Sequence, residues 1–149
     1  MSILQQEIRR APVNIVIAHP DEDVMLRLQL ALRSITTPAA LYHVKDEASL
    51  FSFLRKAHPF ETALRPDMIL LGCALLPALD RLKSDNPFSP IPVIVMATDI
   101  TREQSKEVHA RHANACMRIP SDTPGMRAFA SALDAFWFRV AKLPVNPDA

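Results

Sequence analysis

The residues best suited to chemistry crowd into one stretch, His19-Pro20-Asp21-Glu22-Asp23, where three successive carboxylates follow an imidazole. Such oxygens suit a hard divalent cation, and a histidine beside them suits proton transfer. The same acids are equally well explained as the first turn of a helix, where each stabilises the helix dipole by a few tenths to about 1 kcal/mol. His19 as a phosphorylated or catalytic group needs an orienting partner, and the sequence identifies none. His109 and His112 stand three apart on an expected helix and could share a metal, but without a third ligand a solvated face accounts for them. Asp67 opens a strand and Asp99 follows another, positions that suit turns and caps. Cys73 and Cys116 lie in apolar surroundings without metal-ligand spacing and read as reduced structural thiols. Gly72 and Gly125 are the only 2 glycines, and neither begins a phosphate-cradling GxGxxG loop. No serine sits in a strand-to-helix elbow and no cysteine has an evident base. An enzyme is therefore not expected, nor any metal or cofactor.

Composition narrows the classes further. The chain has 149 residues, of which 49% are hydrophobic, enough for one domain with a core that needs neither disulfide nor metal. Acids and bases nearly balance at a formal net charge of +1 and are spread along the chain, so there is no basic stripe to follow a nucleic acid. No apolar segment has the length of a membrane span, and Met1 to Arg10 lacks the apolar centre of a signal peptide. A cytoplasmic protein without nucleic-acid or membrane partners is the expectation.

The elements that must position these groups follow from hydrophobic periodicity. Val13 to Ala18 reads as a first buried strand, ended by His19-Pro20. A helix follows from Asp21, with Val24, Leu28, Ala31 and Ile35 on one face. Leu41 to Val44 is a second strand and Ala48 to Lys56 a second helix, carrying Leu50, Phe51 and Leu54. The run Pro66-Asp67-Met68-Ile69-Leu70-Leu71-Gly72 is apolar without a break after its Pro-Asp opening, which suits a strand buried on both faces. After Gly72 the segment Cys73 to Pro77 passes quickly into a short helix with Leu79 and Leu82, finishing at Asn86-Pro87. Pro92 to Ala97 is a fourth strand, and Thr101 with Gln104 signals a capping box opening a largely polar helix to about His112. Ala115 to Ile119 is a fifth strand, and a last helix opens with Thr123 as N-cap and Pro124 at its first position. Five βα units predict an α/β fold, a parallel sheet covered by helices on both faces.

The last helix carries more apolar surface than one face can bury. Met126, Phe129, Ala130, Leu133 and Trp137 follow the three-four spacing, whereas Phe136 and Phe138 each fall about 100° around from Trp137. Exposed aromatic patches mark association, so a subunit interface is expected there, involving Phe136, Trp137, Phe138, Val108 and His112; cover by the N-terminal segment or C-terminal tail is the alternative.

With five βα units, the Pro66 to Leu71 run, Ile91-Pro92-Val93-Ile94-Val95, Ala113-Asn114-Ala115 and the Pro120 turn, the chain resembles the CheY-like receiver domain of two-component response regulators. The aromatic run Phe136-Trp137-Phe138 leading to Leu143-Pro144 is similar to the stand-alone receivers found beside bacteriophytochrome-type histidine kinases. The resemblance implies a doubly wound, five-stranded parallel sheet of flavodoxin/CheY type in the order 2-1-3-4-5. It also implies boundaries: an extension over 1–11, the receiver-like domain over 12–143 and a tail over 144–149. Receivers carry a phosphoryl-accepting aspartate at the end of the third strand, and the matching position is Gly72. Their metal-holding acid pair corresponds to Ala18 and His19, their Thr/Ser position to Ala97, with Thr98 next to it expected to point the other way, and their lysine to Ile119. The aromatic switch position corresponds to Cys116, and the loop after Gly72 is shorter than the family's.

The expected function is therefore a receiver-like signalling protein that acts by protein-protein interaction without aspartate phosphorylation. The resemblance implies a homodimer through the fourth and fifth helices and the fifth strand, and a protein partner, a phytochrome-type histidine kinase among the candidates. Two alternatives stand beside it. One is a ligand-binding module in which the emptied pocket of Ala18, Gly72, Ala97 and Ile119 takes a small apolar molecule, unless Met96, Met117 or His19 fills it. The other is a conventional response regulator with a displaced acceptor.

Overall fold

A computed structural model of the chain describes residues 12–35, 37–84 and 87–138. Its elements run β1 (Val13–Ala18), α1 (Glu22–Leu32), β2 (Ala39–Val44), α2 (Glu47–Leu54), β3 (Met68–Gly72), a 3₁₀ turn (Cys73–Leu75), α3 (Pro77–Ser84), β4 (Val93–Ala97), α4 (Arg102–Ala110), β5 (Ala115–Arg118) and α5 (Thr123–Ala132). Beyond α5 the helix widens into a π-helical stretch, Leu133–Phe138. The strands form one sheet in the order β2-β1-β3-β4-β5, every pair parallel.

The unbroken apolar strands are explained by burial on both faces, with alternate side chains serving different layers. Val16, Ile69, Leu71, Val93 and Val95 pack with Leu50, Phe51, Leu79, Leu82 and Val108, residues of α2, α3 and α4. Ile15, Ile17, Met68, Leu70, Ile94 and Met96 pack with Met25, Leu28, Met126, Phe129 and Leu133, from α1, α5 and its extension. Two helices thus cover one side of the sheet and three the other.

Polar groups fix the bottom of the sheet. Asp67 Oδ2 accepts the Asn14 N–H at 2.8 Å, while the Asp67 N–H donates to the Asn14 carbonyl at 2.7 Å, joining the entry of β3 to β1. Lys83 Nζ donates to the carbonyls of Ser89 and Ile91 and to Asn114 Oδ1, at 3.2, 2.9 and 3.0 Å, and Asn114 Oδ1 also accepts the Val93 N–H at 2.9 Å. This ammonium therefore ties the end of α3 to the entries of β4 and β5.

Several boundaries differ from the sequence reading. α1 ends at Leu32, so Ile35 lies past the helix, although it still packs against the α1–α5 side of the core. β2 begins at Ala39 and β5 ends at Arg118, but the Ile119 N–H still donates to the Ala97 carbonyl at 2.8 Å. The N-cap of α5 is Asp122, whose Oδ1 accepts the Gly125 N–H at 2.6 Å; Thr123 is already helical and Pro124 follows it. A carboxylate three residues before the donating N–H outcompeted the neighbouring hydroxyl for the cap. The Thr101–Gln104 capping box forms as expected, with both reciprocal bonds at 3.1 Å. The expected 1–11 extension, the 144–149 tail, Leu143-Pro144 and Asn86 lie outside the described residues.

Candidate functional site at the strand ends

In a parallel sheet covered on both faces, the carboxyl ends of the strands open toward the loops, and the groups there define the site. β1 ends in Ala18, which is fully buried, and β3 ends in Gly72, also buried. Gly72 has an ordinary extended backbone, φ −63° and ψ 140°, so conformational freedom does not explain the glycine. Space does. A Cβ added there would stand 2.7 Å from Cδ2 of His19 and 3.3 Å from the Ala18 carbonyl oxygen, because the imidazole lies over the end of β3.

His19 is held in that position from two sides. Its Nδ1 accepts the Asp21 N–H at 2.9 Å, and His43 Nε2, on the neighbouring β2, lies 2.9 Å from the His19 carbonyl oxygen. With Nδ1 accepting, the neutral ring carries its proton on Nε2. Burial pushes the His19 pKa down, Asp21 opposes that shift, and His43 adds to it. The ring is therefore a neutral plug, fixed in one tautomer, over a glycine.

The neighbouring acids are engaged. Asp21 caps α1, its Oδ1 accepting the Asp23 N–H at 2.9 Å; Asp23 pairs with Arg27 at 2.5 Å, and Glu22 pairs with Lys45, which lowers the Glu22 pKa. No group of three or more His, Cys, Asp or Glu side chains suited to a metal occurs among the described residues. The residues present at these strand ends do not fit a divalent cation. Asp21, Glu22 and Asp23 already serve as cap and ion-pair partners, and alanine and an imidazole stand next to Gly72.

A shallow cleft of about 330 Å³ remains beside the plug, bordered by His19, Asp21, Ala97, Thr98, Asp99 and Ile119. Ala18 and Gly72 do not line it; they are sealed beneath the imidazole and the sheet. Thr98, expected to face away from Ala97, joins it on the cleft wall. β4 ends at Ala97, and strict alternation ends with the strand.

The chain is similar in sequence to the response regulator Rcp1 of Synechocystis, at 22% identity over 139 residues, covering 89% of this chain and 95% of that protein. Among solved structures it is similar to the phosphorylated cyanobacterial phytochrome response regulator RcpA, at 26% identity and a TM-score of 0.83, covering 91% of this chain and all of that one. A response regulator in red light signalling of R. palustris matches with the same TM-score at 19% identity, covering 91% of this chain and 100% of that one. No protein-family model matches. The chain is a CheY-like receiver domain. Its similarities in sequence and fold lie with response-regulator signalling proteins, and no helix of its described residues is long and apolar enough to cross a membrane.

The remaining residues singled out in the sequence are dispersed over this receiver. Cys116, on β5, is half-buried; burial, with Cys73 nearby, raises its thiol pKa, and both cysteines are free. His112 lies beyond the end of α4 at Ala110, in the left-handed region at φ 69°, so it and His109 do not share a helix face as the spacing suggested. Val108 is only 1% exposed, the single buried residue of α4, and is a core residue rather than part of an interface. Its neighbours on that helix are polar, which left its apolar side chain looking unpartnered in sequence. Trp137 is half-buried against the α1–α5 side of the core, while Phe136 stands 55% exposed with its ring edge-on to the indole at 5.2 Å. The Phe138 side chain lies outside the described residues. Sequence reasoning missed His43 and Lys83: an isolated histidine in a half-buried strand and a lysine near a helix end carry no local signal of their long-range partners.

Proposed function

We propose that this receiver signals by binding other proteins, without phosphorylation of an aspartate and without catalysing a reaction. The observation that carries the reading is the imidazole of His19 packed over Gly72, where the resemblance sets the phosphoryl acceptor. Neither group there can accept a phosphoryl as an aspartate does: Gly72 has no side chain, and His19 is neutral with its Nδ1 already accepting a hydrogen bond. Ala97 and Ile119 likewise offer no side-chain donor that would grip a phosphoryl oxygen in one state more than in another. The domain then holds one state, and its presence, abundance or competition for a partner is the signal. A phytochrome-type histidine kinase in the cytoplasm is the partner we favour, since RcpA is a phytochrome response regulator.

The sealing of Ala18 and Gly72 counts against a small apolar ligand in the former pocket, because only Ala97 and Ile119 of the four remain on the open cleft. Incubation with acetyl phosphate and Mg²⁺, followed by intact-mass and peptide mass spectrometry, tests the proposal. The expected result is no Mg²⁺-dependent mass gain. A stoichiometric gain on any aspartate, Asp99 at the cleft rim included, would overturn it in favour of a displaced acceptor.

A further inference from the structure

A second cavity, of about 530 Å³, lies between α1 and α5, away from the strand ends. That volume falls within the range of small-molecule sites. Its floor is made by Ala31 and Met126, both buried, and Leu30 forms a wall while remaining 55% exposed. Burying that leucine against a ligand would remove apolar surface from water, which favours an apolar occupant.

The polar groups on the rim decide the charge of the occupant. Arg27 is already committed: Nη1 donates to the Ser121 carbonyl at 2.8 Å and Nη2 to Asp23 Oδ2 at 2.5 Å. The Ser34 hydroxyl donates to the Ala31 carbonyl at 2.6 Å. Among the described residues Arg127 has no hydrogen bond or ion pair, and none of those lining the cavity is a carboxylate. The Asp23 charge offsets Arg27, whereas nothing described offsets Arg127. A guanidinium with its fork of donors free, at the edge of an apolar floor, matches a single carboxylate on an apolar body.

We propose that the α1–α5 cavity binds a medium-chain aliphatic carboxylate, with its chain over Ala31 and Met126 beside Leu30 and its carboxylate on Arg127. The site is independent of the phosphorylation question, since it shares no residue with the cleft at the strand ends.

Titration of the full chain with decanoate below its micellar concentration, followed by amide NMR and calorimetry, tests this. Saturable binding is expected, with shifts centred on residues 27–34 and 123–127, and weakening by at least about tenfold in Arg127→Glu as a charge-assisted contact is lost. Decan-1-ol and decylammonium are expected to bind at least about tenfold more weakly than decanoate. Arg127 is exposed, so the variant is expected to fold, and an unchanged circular dichroism melt checks that. Absence of saturable decanoate binding, equal binding of the alcohol, or wild-type affinity in a folded Arg127→Glu protein would each overturn the proposal. If instead Arg127→Glu abolishes self-association while decanoate does not bind, the cavity is a subunit contact and the proposal fails.

Discussion

The smallest unit on which the functional reading turns is the pair His19 and Gly72. Each explains the other: the glycine leaves room for the ring, and the ring fills the volume that a side chain on residue 72 would occupy. Gly72→Ala is therefore expected to be overpacked, at a cost of about 1–3 kcal/mol unless the imidazole moves aside. Removing the ring should relieve the clash. In a double-mutant cycle with His19→Ala, measured by urea unfolding, Gly72→Ala should cost less by at least about 0.5 kcal/mol than in wild type. Additive effects would mean that the ring does not oppose a side chain at position 72. Titration of the same histidine gives a second test. Its folded pKa lies below the ordinary 6.5, chiefly through burial, so on acidification the unfolded chain takes up this proton before the folded one. Its contribution to stability is thus complete above 6.5, falls as pH drops through 6.5 toward the folded value, and does not fall further below that. Thermal melts from about pH 7.5 to about pH 5 should show a smaller fall in Tm for His19→Gln than for wild type. Parallel curves would show that His19 is not buried as described.

At the scale of elements, the sequence was most informative where a strand is buried on both faces or a helix start carries a side-chain cap. β1, β3 and β4 were legible because runs such as Met68-Ile69-Leu70-Leu71 have nowhere to be but between two layers. The opening of α4 was legible because Thr101 and Gln104 satisfy each other locally. Ends set by competition were less legible: two cap-forming side chains, Asp122 and Thr123, stand next to each other, and only the chain's path decides between them. Asp122→Ala should cost about 0.5–2 kcal/mol of stability, while Thr123→Ala, one residue inside the helix, should cost less than about 0.5 kcal/mol. Comparable losses at both positions in denaturant melts would return the cap to Thr123. At the strand ends, the side-chain types could be read from the sequence, but the plug could not. The Asp21 N–H reaches Nδ1 from only two residues away, but the stacking of the ring over Gly72 and the approach of His43 from β2 are long-range geometry that no local spacing encodes.

Over the whole molecule, the two helical layers differ in how fully they cover what they carry. Among the described residues none of the exposed large apolar side chains lies on α2, α3 or α4, where Val108 is buried, whereas the end of α5 leaves Phe136 projecting beside a half-buried Trp137. Homodimerisation through α4, β5 and α5 would cover that ring, and the same arrangement tells which substitution tests it. Trp137→Asp would place a carboxylate against the core, so a loss of association there would be confounded with unfolding. Phe136 is exposed, and a charged residue in its place should change stability by no more than about 0.5 kcal/mol while disrupting an apolar contact between copies. Light scattering is expected to give twice the chain mass of 16.6 kDa for wild type and a single chain mass for Phe136→Asp. A wild type that stays at one chain mass across the accessible concentrations would remove the homodimer. A well-folded Phe136→Asp that keeps the doubled mass would move the interface to another face of the receiver.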